Sequence, residues 1–298
     1  MKAEAKWWYN LPLVTSLSNP DSYLRMTLKS FKRNRSAMTG LVLLALLVLS
    51  AIFAPKLAPY DPIEIDFANR LAPPSSEHWF GTNEFGRDIF SMILYGGRIS
   101  IMIGLVAVSF ALVCGVILGV LAGYFPKIDN LIMRFTDVWL AFPTFLLAIA
   151  IIAILGPGLT NAMIAVGISA TPQYIRVVRG AVLSVREQEY IAAARSIGAK
   201  NGRIILHHIL PNVVAPIIVL STLQFGTAIL SAAGLSFLGL GIQPPTPEWG
   251  AMAYASRSYI RQAWWMGVFP GFAILLMVLG FNLLGDGLRD ILDPRMKQ

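Results

Sequence analysis

The feature that most limits what this chain can become is how far it runs without charge. Four stretches, 99–126, 138–175, 209–247 and 262–285, contain no Asp, Glu, Lys or Arg, and a fifth apolar run extends from about Met38 to Ala54 with Lys56 at its edge. A helix that crosses a bilayer needs about 20 mostly apolar residues, and each of the four exceeds that. Only 13% of the 298 residues are charged while 56% are hydrophobic, whereas an ordinary soluble domain carries about 25% charged residues. A large core does not explain the shortfall, because a soluble protein of this size still needs a charged surface. The pattern excludes a disordered chain, a disulfide scaffold and a typical cytosolic enzyme. Cys114, the single cysteine, has no intramolecular partner.

The number of spans follows from where these runs break. The 138–175 run is too long for one helix, and Gly156-Pro157-Gly158 divides it, since proline removes a backbone donor and glycine frees the chain. The expectation is an all-α polytopic membrane protein with six transmembrane helices. Residues 1–37 read as an N-terminal leader, 38–57 as the first span and 58–98 as a loop on the far side. Residues 99–289 then hold the other five spans, with a long loop at 176–208, and 290–298 form a tail. The first apolar run lies behind a leader bearing Trp7, Trp8 and Tyr9. It exceeds the roughly 7–15 apolar residues of a signal-peptide core and reads as a retained helix.

Gly115, Gly119 and Gly123 fall on one helical face, where small residues let another helix approach closely; ordinary glycine enrichment in membrane helices is the alternative. Asp88 to Arg98 reads as a short interfacial helix ahead of the second span, and Trp249, Trp264 and Trp265 as interfacial anchors. Six spans put both termini on one side with the 124–137 and 176–208 loops. That side collects 18 of the 24 Lys+Arg, leaving Lys56, Arg70, Arg87, Arg98, Arg257 and Arg261 opposite. The positive-inside bias makes the termini cytoplasmic. The net charge of +8 then reflects topology and contact with anionic lipid, and no nucleic-acid partner is expected.

Several patterns are missing. There is no G-x-x-x-x-G-K-[ST] phosphate loop, and His78, His207 and His208 fit no metal-ligand spacing. Ion-coupled carriers usually keep ionisable groups within their spans; here Asp137 and Asp286 lie only at span ends. No catalytic residue, metal or cofactor is expected, and if the chain transports a solute its energy arrives from elsewhere.

The loop between the fourth and fifth spans is the most informative segment. Glu189 to Arg203 reads EYIAAARSIGAKNGR, Ala-rich and strongly helix-forming, with Gly198 and Gly202 set to end or bend the helix. Helix logic leaves two readings open, a docking helix for a partner cleft and a solvated connector. The loop resembles the EAA motif of permease subunits of bacterial ABC importers, with Ala193, Ala194, Gly198, Leu210 and Pro211 at matching positions. Ala192 stands where that motif usually has an acid, and His208 where it has isoleucine. Glu189, one helical turn earlier, is the candidate to supply the charge. Gly81-Thr82-Asn83-Glu84-Phe85-Gly86-Arg87-Asp88 resembles the FGTDxxGRD signature of peptide/nickel-type permeases, with Asn83 for the usual Asp and Met92 for the usual Arg. Segments 236–250 and 282–294 are similar to the same group.

The resemblance implies a type I importer permease fold and a place in a bacterial inner membrane. The chain would be the C-type partner of a second, homologous permease, above two ATPase subunits and below an extracytoplasmic binding protein. The solute would be a dipeptide, an oligopeptide or glutathione. In this reading Glu189, Ala193, Ala194, Arg195, Gly198, Leu210 and Pro211 belong to the ATPase-docking region over 189–202. Gly81, Gly86, Arg87 and Asp88 mark an outer loop that meets the binding protein or caps the pore, or else braces the fold. A self-sufficient secondary transporter and a non-transporting membrane scaffold are the competing classes.

Overall fold

The computed structural model describes residues 29–243 and 245–292. The Trp7, Trp8 and Tyr9 leader, Pro244 and the tail from Asp293 lie outside them. The described elements are helices α1 (Arg35–Ile52), α2 (Ala54–Leu57), α3 (Ile89–Tyr124), α4 (Pro126–Leu140), α5 (Thr144–Leu155) and α6 (Leu159–Arg186), followed by α7 (Glu189–Ser196), α8 (Asn201–Ile204), α9 (Leu210–Phe237), α10 (Trp249–Ser256) and α11 (Trp265–Leu292). A π-helical turn, Ile205–Ile209, joins α8 to α9. Pro211 cannot donate a backbone hydrogen bond into this turn, and the Asn212 side-chain amide donates to the His208 carbonyl (2.6 Å).

Among the described residues, four helical stretches are long and apolar enough to cross a membrane: α1, α3, the continuous run Asn201–Phe237, and α11. The remaining two of the six expected spans are less regular. α4 and α5 qualify only as a broken pair, bent by 91°. The charge-free run conceals this break, which falls at Ala141-Phe142-Pro143, because proline drives the residue before it out of helical geometry. α4 lies against α6 through two ion pairs, Asp129 with Arg179 (2.5 Å) and Asp137 with Arg176 (2.8 Å). α6 has 28 residues but is free of charge only as far as Ile175, and it does not meet the apolarity needed of a span.

The expected interfacial helix at Asp88–Arg98 is not separate. Asp88 caps one continuous helix of 36 residues, about 54 Å long against a hydrocarbon core of about 30 Å. Arg98 interrupts the charge-free count but not the helix. Its guanidinium donates to the carbonyls of Ala51 (2.6 Å) and Ile52 (2.7 Å) at the end of α1, where the helix dipole favours a cation. Two of the three expected interfacial tryptophans are likewise internal. Trp249 and Trp265 are buried, donating to the carbonyls of Ile93 (2.9 Å) and Thr82 (3.1 Å), while Trp264 remains exposed.

The glycine stripe is a packing surface. A Cβ on Gly115, Gly119 or Gly123 would lie 2.2, 2.7 or 2.7 Å from the Cβ of Tyr174, Val178 or Val182. Both rows step by four residues, so α3 and α6 meet side by side with glycine under every large residue. α1 and α11 repeat the device, with Gly40, Gly280 and Gly287 against Leu284, Leu44 and Ala37. Replacing Gly119 by Leu is expected to lower stability by about 1–3 kcal/mol through overpacking, seen as a lower thermal midpoint of the purified protein. Gly271→Ala, where no atom lies within 4 Å, is expected to leave the midpoint unchanged or slightly raised, since alanine favours helix over glycine.

Candidate functional site

At the far end of α3, a small apolar cluster fixes the short helix α7. Ile191 is fully buried with Val120 and Tyr124 of α3, Val178 and Val182 of α6, and Ile204, Ile209 and Val213 of the chain entering α9. Ala194, one turn on, is buried on the same side. The opposite side, Glu189, Tyr190, Ala192, Ala193, Ser196 and Ile197, faces outward. Ile197 is 86% exposed, an unusual position for isoleucine with no partner of its own.

The end of α7 explains its glycine. Gly198 has φ +83, a conformation costly for residues with a Cβ. Its N–H donates to the Arg195 carbonyl (2.9 Å), and the Ala199 N–H donates to the Ala194 carbonyl (3.1 Å). Together these make the six-residue closure by which glycine stops a helix. The chain then restarts as α8, so the expected 189–202 helix is two helical pieces around a turn. Glu189 in the first turn and Arg195 in the last complement the helix dipole. Arg195 lies over the Tyr124 ring (5.4 Å), and the Tyr124 hydroxyl donates to Asn201 (2.8 Å). Arg186 donates to the carbonyls of Gly123 and Tyr124 (3.2 and 3.4 Å), closing the end of α3.

Of the residues singled out in this loop, Glu189, Ala193, Arg195 and Gly198 share the exposed region. Ala194 and Leu210 pack inward, and Pro211 lies beyond the π turn at the start of α9. Ile191 and Ile197 were not singled out. Their signal was available: one isoleucine is in helical register with Ala194, and the other sits directly before the stopping glycine.

The loop at the opposite end is a tightly bonded brace. Asp88 is buried and caps α3. Its carboxylate accepts from the Ser91 N–H (2.8 Å) and Ser91 hydroxyl (2.7 Å) and contacts His78 Nδ1 (3.0 Å). Asn83, standing where the signature usually has Asp, accepts from the N–H groups of Phe85 and Arg87 (both 2.9 Å). Arg87 donates to the Ile63 carbonyl (3.2 Å). A Cβ on Gly86, whose φ is +75, would lie 1.7 Å from the Asp66 carbonyl oxygen; Gly81, with φ +73, is pressed against Trp265 and the Ala72 carbonyl. The Asn69 side chain and the Ala68 N–H hold the Asp66 carboxyl below the usual range. Glu248, which caps α10 by accepting from Gly250 and Ala251 (2.8 Å each), is pushed above its usual range by burial.

These features define a class: a helical membrane component whose surface helix is anchored at one end of its spans. Residues 115–298 match the family described as binding-protein-dependent transport system inner membrane component, and residues 22–74 match the N-terminal TM domain of oligopeptide transport permease C. The chain belongs to this family, and is therefore a multi-pass inner-membrane permease subunit of an ABC transporter that carries out no catalysis itself. The dipeptide transport system permease protein DppC of Alkalihalophilus pseudofirmus is 57% identical over 92% of this chain and 90% of its own length. The glutathione transport system permease protein GsiD of an Escherichia coli strain is 51% identical over 90% and 89%. In fold, a chain of the inward-facing MetNI methionine ABC transporter superposes with a TM-score of 0.57 at 20% identity, covering 68% of this chain and 97% of that one.

Asp88→Ala removes a helix cap, for which the usual cost is about 0.5–2 kcal/mol, and strips His78 and Ser91 of their shared partner. The expected result is a lower thermal midpoint with faster backbone hydrogen exchange across 58–88, and unchanged exchange in α7.

Proposed function

We propose that this chain forms one half of the translocation path of an ABC importer for short peptides, with α7 as the helix that receives the stroke of an ATPase subunit. α7 and both termini then face the cytoplasm, and the 58–88 loop faces the compartment where a solute-binding protein delivers its cargo. A second, homologous permease completes the path, and two ATPase subunits lie beneath. The observation that carries this reading is the division of α7 into a buried and an exposed side. Ile191 and Ala194 tie it to three long helices, while Glu189, Ala193 and Ile197 offer a partner a small, partly apolar surface.

Mechanically, force on α7 passes through Ile191 to α3, α6 and α9 at once. Packed elements of this kind move as bodies and alternate between discrete arrangements. The relatives named for dipeptide and glutathione transport support a short peptide as the solute. The outer signature reads as a brace, since Asn83, Arg87 and Asp88 are already engaged within the chain.

The test uses the whole transporter in proteoliposomes. Ala193→Trp, on the exposed side of α7, is expected to leave insertion and thermal midpoint unchanged while uptake falls to background and the ATPase no longer responds to the binding protein. Gly198→Val, which strains the stop of α7, is expected to uncouple the complex in the same way. Normal uptake by both variants would overturn the docking role. Affinity purification is expected to recover a related permease together with P-loop subunits; recovery of self-associated chains alone, active without ATP, would favour a secondary carrier.

A further inference from the structure

We infer that the cleft between α6 and α9 is a binding station for the peptide backbone, with the Gln173–Gln224 amide pair as its floor. This rests on the peptide-importer reading above and assigns the residues that meet the solute. Gln173 and Gln224 are each the fifteenth residue of a 28-residue helix, and the two antiparallel helices bring them together one turn before Arg176 ends the charge-free part of α6. The Gln224 side chain donates to the Gln173 carbonyl oxygen (2.5 Å). Thr144, Ser169, Thr227 and Ser231 surround the pair in a shallow cleft whose lining includes no charged side chain.

Exposure distinguishes this face from one that meets lipid. The exposed side chains along the middle of α3 are Met102, Leu105, Val106, Phe110, Val113 and Ile117, with Ser109 as the one hydroxyl among them and no amide. At the same level of α6 and α9 the exposed residues include Gln173 and Thr227, beside buried Ser169 and Gln224. Polar groups at membrane depth are tolerated where they meet protein or line a watery cavity, not where they meet hydrocarbon. An interhelical hydrogen bond alone would account for the glutamine pair but not for the exposed Gln173 and Thr227 or the hydroxyls around them.

The chemistry suits a peptide bond, the amide of a guest without net charge. One hydrogen bond between two primary amides leaves both with unused donors and acceptors, the groups a peptide bond pairs with. Ser169 donates to the Ala165 carbonyl (2.7 Å) and Thr227 to the Leu223 carbonyl (3.3 Å), so each hydroxyl oxygen still accepts. With no fixed charge in the lining, an isolated ion finds no counter-charge there.

The experiment uses the assembled transporter in proteoliposomes, in a Cys114→Ser background, with peptide import by the parent measured first. Thr227→Cys and Ser231→Cys are expected to react with a charged, water-soluble methanethiosulfonate, and saturating alanyl-alanine is expected to slow both reactions several-fold. Leu230→Cys, exposed one residue away on the apolar side, is expected not to react. Gln224→Leu is expected to cut the maximal import rate about tenfold, the effect of one lost hydrogen bond to the solute; Gln224→Asn is expected to restore part of it, and binding-protein-stimulated ATPase to persist in both. Unreactive Thr227→Cys and Ser231→Cys in a transporter that imports peptide would overturn the station, as would labelling that peptide leaves unchanged. Failure of the parent to import any peptide would instead overturn the importer reading.

Discussion

The contact between α3 and α6 is the constraint on which the rest of the structure depends. Three glycines spaced by four meet Tyr174, Val178 and Val182 spaced by four, so two helix backbones come closer than ordinary side chains permit. In a bilayer the hydrophobic effect does not draw helices together, and close van der Waals packing takes its place. This seam holds α6 despite its modest apolarity, and α6 in turn holds α4 through Asp129–Arg179 and Asp137–Arg176. The cluster around Ile191 is assembled from the ends of the same two helices. Without the seam, α7 would have nothing fixed to stand on.

The two ends of the molecule are built differently. At the α7 end, buried residues point inward and a varied surface is left outside: charge at Glu189, alanine at 192 and 193, and a bare isoleucine at 197. At the other end, Asp88, Asn83, Arg87 and Trp265 are engaged in hydrogen bonds within the chain. One end leaves side chains exposed, and the other engages most of its polar groups internally. That contrast supports the different roles proposed for the two motif regions.

Much of the architecture was legible because charge-free length and glycine spacing are direct physical requirements of membrane helices. The six helical stretches, the stop at Gly198 and the shared face of Gly115, Gly119 and Gly123 all follow from such rules. The departures have identifiable causes. Arg98 looked like a boundary because its charge ended a run, yet two α1 carbonyls receive its guanidinium and the helix continues through it. Phe142-Pro143 was hidden inside a run that charge alone could not divide. Trp249 and Trp265 resembled interface anchors because tryptophan is frequent there, but their indole N–H groups bond to carbonyls inside the protein. The Gln173–Gln224 pair was out of reach, because the spacing within each helix does not say which faces of two distant segments will meet.

The uninterrupted length of α3 has a mechanical consequence. No proline interrupts Ile89–Tyr124, and its two extremities are clasped separately, one by the Asp88 cap and the other by Arg186 and the Tyr124–Asn201 bond. Moving as one body of about 54 Å, it acts as a lever: tilting it by about 10° sweeps one tip roughly 9 Å relative to the other. In the proposed importer, a small displacement at the α7 end would thus arrive magnified at the opposite end.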